Sequence, residues 1–392
     1  MSNVLDYVKW RCDITFSHSP LNEIDSLIFT ELSYLPFEHF VPQIGSGEKP
    51  LLSEVGDRFF DVYDEDKSIG AIIPGADIIR LFRAICKTKR FAEVRAWAYV
   101  NEISKDAEKQ FSAICFSWDK KNTFIAFRGT DDTLVGWKEN LNMALFTPIP
   151  AQLDGVEYVE KIAKLVKRDK LYLGGHSKGG NIAVYTALSV EPKTRKRIAS
   201  IYNFDGPGFT NRFTDMVNDL VTVGKIRNFM PEGSIIGRIF DNVGDHEIVK
   251  SFNRGVMQHD GFSWSVIGAE FVNTDRFESG SDEFHILLKN WVSKMPEEDR
   301  HKFVESFYRL ATTTNASTLS DIMLDKFKFI FGIISAKGDD KKIVVDGLKR
   351  LMREKNEIKG KVKSKNLLKG KKDDDDTPIE SVYFSPGSKK NK

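Results

Sequence analysis

The chain has 392 residues, of which 41% are hydrophobic, 29% charged and 11% aromatic, the balance of a globular protein. This composition excludes a collagen-like repeat, a disulfide scaffold and a wholly disordered chain. The formal net charge is only +2, but residues 337–372 carry fourteen basic and five acidic side chains, net +9, which leaves −7 for the rest. The positive field therefore belongs to the C-terminal part, and the body is mildly acidic.

Cysteine usage and hydropathy predict a cytoplasmic protein. The three cysteines, Cys12, Cys86 and Cys115, are far apart and form no Cys/His cluster of the kind that binds zinc. Their odd number is typical of a reducing compartment. No secretory signal is apparent, and the most apolar stretch, 327–336, is too short to span a bilayer and contains Lys328.

The predicted elements change character along the chain. The first 110 residues are predicted to be mainly helical, because segments such as 21–35 have apolar residues at helical spacing. Residues 112–130 predict an antiparallel hairpin, in which SAICFSW and TFIAFRGT flank a polar turn at 119–122.

Beyond the hairpin, short β-rich runs alternate with helical segments. The predicted strands are 171–175, 198–204, 225–230 and 247–252, and the predicted helices between them are 154–168, 179–190 and 210–222. This alternation is typical of right-handed crossovers and a mostly parallel α/β sheet. Helical patterns return at 284–292, 301–311 and 319–331, and the Lys/Asn/Gly-rich sequence from 353 onward predicts disorder.

The sequence LYLGGHSKGGNIAVYTAL, residues 171–188, contains G-x-S-x-G directly after an apolar strand and before a helix. A serine on such a turn exposes its hydroxyl, and the flanking glycines leave room for the tight backbone. This context predicts Ser177 as a nucleophile, with the backbone N–H of Lys178 available to an oxyanion. The alternative is a tight glycine turn with a solvent-facing serine.

Seven histidines are available as general base: His18, His39, His176, His246, His259, His285 and His301. A triad of this kind runs nucleophile, acid, base along the chain. That order excludes His18 and His39. His176 is set aside because it adjoins the nucleophile, and His285 and His301 are set aside because they lie in helical patterns. His259 is the predicted base, because it lies in the loop after the last predicted strand, and His246, at the start of that strand, remains the alternative.

A second segment, FRGTDDTLVGW, ends the strand before the nucleophile strand. Together with the serine turn it resembles the class-three, fungal-type lipases and an uncharacterised bacterial lipase-like α/β-hydrolase family. The second resemblance covers about residues 1–300, through DYVKW, KRFAEV, FRGTDDTLVGWKENLNM, GGHSKGGN, FDGPGF and QHDGFSW. The resemblance to the class-three lipases implies a backbone N–H from Thr130 in the oxyanion hole, with the N–H of Lys178 as the second donor. The alternative for FRGT is an ordinary strand end with Arg128 in a surface ion pair.

The resemblance also implies the organisation of the chain. An α/β-hydrolase domain with a helical N-terminal region is expected over 1–300, followed by C-terminal helices at 301–352 and a basic disordered tail at 353–392.

The triad acid has several candidates. Asp205, in IYNFDGPGF, follows the strand after the nucleophile unit, and this run resembles the pancreatic-type lipases. Class-three lipases place the acid one strand later, where this chain offers Glu232, and Asp245 is a further candidate. We predict Asp205; the alternative role for it is a turn residue that caps its own backbone.

These residues predict a serine hydrolase that cleaves an acyl ester of a small molecule or lipid, without a metal or organic cofactor. The alternative is a catalytically inactive hydrolase fold that serves as a binding or scaffolding protein. Nucleic-acid binding is not expected, because the lysine-rich tail lacks interleaved aromatics. Residues 341–352 form a basic amphipathic segment that suits either peripheral contact with an anionic membrane or docking on the protein body.

Overall fold

The computed structural model describes residues 2–63, 75–104, 109–130, 138–139, 142–143, 147–210, 213, 219–312 and 338–369. Four helices come first: α1 (Val4–Arg11), α2 (Glu23–Leu32), α3 (Leu52–Phe60) and α4 (Gly75–Ile85). Helix α2 is buried along its whole length, and its first turn is capped by the Asn22 side chain, which accepts from the N–H of Asp25 at 2.9 Å.

An eight-stranded sheet forms the centre of the described chain. Its strands are β1 (Arg95–Ser104), β2 (Lys109–Ser117), β3 (Asn122–Phe127), β4 (Lys170–His176), β5 (Ile198–Phe204), β6 (Ile226–Pro231), β7 (His246–Val249) and β10 (Asn273–Thr274), in that spatial order. Strands β3 to β7 are parallel, while β1 and β2 at one edge and β10 at the other are antiparallel to their neighbours. Strands β8 (Val266–Ile267) and β9 (Glu270–Phe271) form a separate hairpin.

Both faces of the sheet are covered, as the alternation within β3 shows. Phe124 and Ala126 join an apolar core with the N-terminal helices, whereas Ile125 and Phe127 join a second core with α5 (Pro150–Leu165) and α6 (Lys178–Ser189). Short helices α7 (Pro192–Arg195) and α8 (Leu220–Val223) precede β5 and β6. A mostly parallel sheet between two helical layers is the α/β-hydrolase architecture that the sequence predicts.

The hairpin and the strand–helix alternation are confirmed, and β1 is the main correction. It lies within the first 110 residues, predicted to be mainly helical, and it pairs antiparallel with β2. The register shifts between Trp97 and Val100, and Ala98 has a φ of 56°. This irregularity breaks the period-two pattern by which a strand is recognised in sequence. Of the predicted helix at 210–222 the structure describes α8, and the predicted helix at 319–331 lies outside the described residues.

The C-terminal helices are α9 (Ser279–Ser293), α10 (Glu297–Thr312) and α11 (Asp339–Lys369). Because α11 runs to Lys369, the prediction of disorder starting at 353 is wrong. Near this point Glu354 is buried and forms an ion pair with Lys294 of α9, with 2.5 Å between Glu354 Oε1 and Lys294 Nζ. Residues 370–392 lie outside the described part, and the division into domains stays a prediction.

Part of the basic amphipathic segment docks on the protein. Val344 is fully buried beside Phe303, and the Trp291 indole N–H donates to the Gly347 carbonyl at 3.0 Å. Met352 stays exposed. Contact of this segment with a membrane stays a prediction, and none of the described helices is long and apolar enough to cross a bilayer.

Candidate active site

Ser177 stands between β4 and α6 on a sharp turn. Its φ of 59° and ψ of −131° lie in a region that residues other than glycine rarely adopt. The N–H of Ser177 donates to the carbonyl of Phe204, the last residue of β5, at 2.9 Å. Ser177 is half-buried, whereas His176 and Lys178 on either side are buried. The turn therefore presents the serine and hides its neighbours.

Two glycines allow this turn to pack closely. A Cβ on Gly175 would lie 2.1 Å from the carbonyl carbon of Gly179, and a Cβ on Gly179 would lie 2.1 Å from the carbonyl oxygen of Phe127. No side chain fits at either position. The spacing G-x-S-x-G thus brings the start of α6 against the end of β3, where the FRGT segment begins.

The FRGT segment contacts the serine turn directly. A Cβ on Gly129 would lie 2.7 Å from the carbonyl oxygen of His176 and 3.2 Å from the Cβ of Ser177. Thr130, next in the chain, is buried. Arg128 is also buried and donates to the side-chain oxygen of Asn101 at 2.7 Å.

Asp205 follows β5 directly and contacts His259. Its Oδ2 lies 2.6 Å from the Nδ1 of His259, and its Oδ1 accepts from the Ser234 hydroxyl and from the N–H of Gly237 at 3.1 Å. Asp205 is only 1% exposed. A carboxylate at this distance holds a proton on Nδ1, which leaves Nε2 of the imidazole as an acceptor. It is Asn203, not Asp205, that caps the turn, by accepting from the N–H of Gly206 at 3.0 Å.

His259 ends a 3₁₀ turn, Gly255–His259, that follows β7. This turn is held by Gln258, whose carbonyl accepts from the Trp264 indole at 2.8 Å and whose side chain accepts from the N–H of Gly233, also at 2.8 Å. The His259 side chain is 16% exposed, so it is ordered but reachable from solvent.

Chain topology brings these residues to one edge of the sheet. Thr130 lies three residues beyond the end of β3, Ser177 follows β4, Asp205 follows β5, and His259 lies in the loop after β7. These strands are parallel, and His176 and Phe204 are paired in register, so their carboxyl ends meet at the same edge. This edge is where open α/β sheets bind their ligands.

The other predicted candidates lie elsewhere or bond differently. Glu232 makes no ion pair with His259 among the described contacts, and its N–H donates to the Val249 carbonyl at 3.0 Å. His246 begins β7 and Asp245 precedes it, which places both at the opposite edge of the parallel sheet. The His246 ring packs on Phe277, and burial lowers its pKa.

Two contacts at this edge were missed by sequence reasoning. The Nε2 of His176 lies 2.8 Å from the His259 carbonyl oxygen, and the Tyr34 hydroxyl lies 3.2 Å from Nδ1 of the same ring. Burial lowers the pKa of His176 well below its usual value. No local pattern marks Tyr34, which lies 142 residues before His176. Ser234, whose hydroxyl donates to Asp205, stands two residues after Glu232 in the same segment.

No curated protein matches the sequence. Among solved structures, a mutant of MDLA from Penicillium cyclopium superposes with a TM-score of 0.37 at 12% identity, covering 69% of this chain and 92% of that one. A structure described as a fungal lipase superposes with a TM-score of 0.38 at 11% identity, covering 71% of this chain and 92% of that one. The M37 lipase superposes with a TM-score of 0.36 at 15% identity, covering 64% of this chain and 84% of that one.

One family model, described as Mbeg1-like, matches residues 85–309. The matched region is more than half of the chain and contains Thr130, Ser177, Asp205 and His259. The protein belongs to the Mbeg1-like family.

Proposed function

We propose that this protein is a serine hydrolase that cleaves an acyl ester, with Ser177 as nucleophile, His259 as general base and Asp205 as the acid that orients it. The observation that carries the proposal is the 2.6 Å contact between Asp205 Oδ2 and His259 Nδ1, at the same edge of the sheet as a serine held at positive φ. A carboxylate on Nδ1 selects the tautomer whose Nε2 can take the serine proton, and it stabilises the imidazolium that results.

The proposed reaction has two halves. The Ser177 Oγ attacks the ester carbonyl while its proton passes to His259, and the tetrahedral intermediate then expels the alcohol, which takes that proton. Water repeats the sequence on the acyl-enzyme and releases the carboxylic acid. Each half returns the imidazole to its neutral form, so the chain needs no other acid or base.

The negative charge of the intermediate needs two donors. We assign these to the backbone N–H groups of Thr130 and Lys178. Lys178 is the first residue of α6, where the helix dipole favours an anion. Thr130 is supported by its neighbour Gly129, which packs against Ser177. Donors of this kind typically contribute about 100- to 1000-fold each to kcat.

The test is covalent labelling with a fluorophosphonate probe, together with hydrolysis of short p-nitrophenyl esters. The wild-type protein should label and turn over ester, and Ser177→Ala should do neither. Ser293→Ala, which changes an exposed serine on α9 that bonds only to its own helix, is the matched control and should behave as wild type. A folded wild-type protein that neither labels nor hydrolyses would instead support the inactive binding or scaffolding protein.

A further inference from the structure

The side chain of Lys178 turns away from the proposed oxyanion hole into the protein. Its ammonium is 1% exposed and donates to the Gln110 carbonyl at 2.8 Å, to the Gln110 side-chain oxygen at 3.0 Å and to Glu139 Oε2 at 2.7 Å. These bonds use all three donors of the ammonium group. The side chain of Lys178 is therefore held in the protein interior, and its backbone is held by its place in α6.

Glu139 is equally enclosed. Its side chain is 0% exposed, Oε2 also accepts from the N–H of Gln110 at 3.1 Å, and Oε1 accepts from the N–H of Ala151 at 3.1 Å, near the start of α5. Both carboxylate oxygens are thus occupied. The Lys178–Glu139 pair therefore connects the first turn of α6 with strand β2 and with the start of α5. Glu139 itself lies nine residues after Thr130 in the chain.

Strand β2 links the two proposed donor segments. The Gln110 carbonyl receives the Lys178 ammonium, and two residues later the Ser112 carbonyl receives the N–H of Arg128 at 3.0 Å, at the start of the segment that carries Thr130. The segments that carry Lys178 and Thr130 are therefore both hydrogen-bonded to β2. We therefore expect a change in the Lys178–Glu139 contact to displace one segment relative to the other.

Stability alone does not account for this pair. Removing two charges from water is costly, and well-packed apolar residues of similar size often replace a buried ion pair without loss of stability. An oxyanion hole, in contrast, needs its two donors held within a few tenths of an ångström.

We propose that Lys178 and Glu139 form a positioning pair that sets the spacing between the Lys178 and Thr130 N–H groups. This inference rests on the proposed function. The pair touches no substrate. Because the pair acts through the backbone that carries the Lys178 and Thr130 N–H groups, it should influence the chemical step more than ground-state binding.

The experiment compares Lys178→Met, Glu139→Leu and the double variant with wild type. Each single variant leaves one buried charge unpaired and should lose thermal stability, whereas the double variant should recover most of it. In the folded double variant kcat should still be about 10- to 100-fold lower, less than the full loss of a donor, with KM within about twofold. The rate of fluorophosphonate labelling at Ser177 should fall in parallel.

The matched control is another buried ion pair, Arg90 with Asp25, both 0% exposed and located among the N-terminal helices. Arg90→Met and Asp25→Leu should lower the thermal midpoint as the single variants above do, but kcat of the folded protein should stay within about twofold of wild type. This separates a general loss of stability from a displaced oxyanion hole.

The outcomes separate the two proposals. A wild-type protein that neither labels nor hydrolyses overturns the proposed function. A wild-type protein that labels, with a folded double variant that labels and turns over equally fast, overturns only the positioning pair. If the double variant fails to fold, Glu139→Gln decides instead, since it keeps the side-chain shape but loses one acceptor oxygen; an unchanged kcat in that variant also overturns the inference.

Discussion

The imidazole of His176 donates from Nε2 to the backbone carbonyl of His259 across 2.8 Å. The residue before the serine therefore holds the main chain of the proposed base, and the two rings lie 4.4 Å apart between centroids. Burial lowers the pKa of His176, which keeps this ring neutral and leaves its Nδ1 as acceptor for the Tyr34 hydroxyl. A charged ring at this position would repel the imidazolium that forms on His259 during turnover.

We expect His176→Phe to lower kcat about tenfold while the protein stays folded. Phenylalanine keeps a buried ring but cannot donate to the His259 carbonyl. An unpaired buried acceptor costs about 1–3 kcal/mol, so the turn that carries His259 should be held less firmly. Tyr34→Phe removes only the hydroxyl that supports the ring and should have a smaller effect. Steady-state kinetics and thermal unfolding measure both; a His176→Phe enzyme with wild-type kcat contradicts the role given to this contact.

Asp205→Asn and Glu232→Gln, assayed side by side, test the choice of acid. The amide in Asp205→Asn carries no charge to stabilise the imidazolium and favours the wrong tautomer of His259, and such a change at a triad acid typically costs about 10⁴-fold in kcat. Glu232→Gln should stay within a few-fold of wild type, because Glu232 makes no ion pair with His259. The opposite ranking of the two variants would move the acid to Glu232.

Gly129→Ala should be destabilising. The added Cβ would lie 2.1 Å from the Tyr34 hydroxyl and 2.7 Å from the His176 carbonyl oxygen. Overpacking of this kind typically costs about 1–3 kcal/mol. Combining Gly129→Ala with Tyr34→Phe removes the nearest clash and should recover part of the thermal midpoint, but not all of it, because the backbone contact remains. Full stability in the single variant would show that the segment can shift freely.

Asp260, next to His259, makes stability depend on pH. Burial, with a smaller contribution from Asp77, raises the pKa of Asp260 to about 6, above an unfolded value of about 3.9. The folded state therefore keeps this proton to higher pH, and the contribution of Asp260 to the free energy of unfolding falls as pH rises from about 4 to 6.

Asp260→Asn should remove this dependence. The side-chain oxygen can still accept from the N–H of Phe262, at 3.0 Å in the wild type, but it carries no charge. The stability of the variant relative to wild type should rise by roughly 1–3 kcal/mol between pH 4 and 7. Denaturant unfolding across that range measures the difference. A difference that does not change with pH would mean that Asp260 ionises normally in the folded protein.

Features that depend on neighbouring residues could be predicted from the sequence alone. The hairpin, the alternation of parallel strands with helices and the Ser177 turn are all local patterns, because strand periodicity, helix periodicity and the Gly175–Gly179 spacing are properties of contiguous segments. Chain order then excluded His18 and His39 as the base. Strand β1 escaped recognition because its irregular register at Trp97 disturbs the local pattern.

Which side chains meet depends instead on how distant segments fold together. Asp205 and Glu232 both come directly after parallel strands, and which carboxylate reaches His259 depends on the path of the chain over the 54 residues that separate Asp205 from His259. The Tyr34–His176 and Lys178–Glu139 contacts join residues 142 and 39 positions apart. Such contacts arise from the packing of helices on the sheet, and so no local pattern in the chain encodes them.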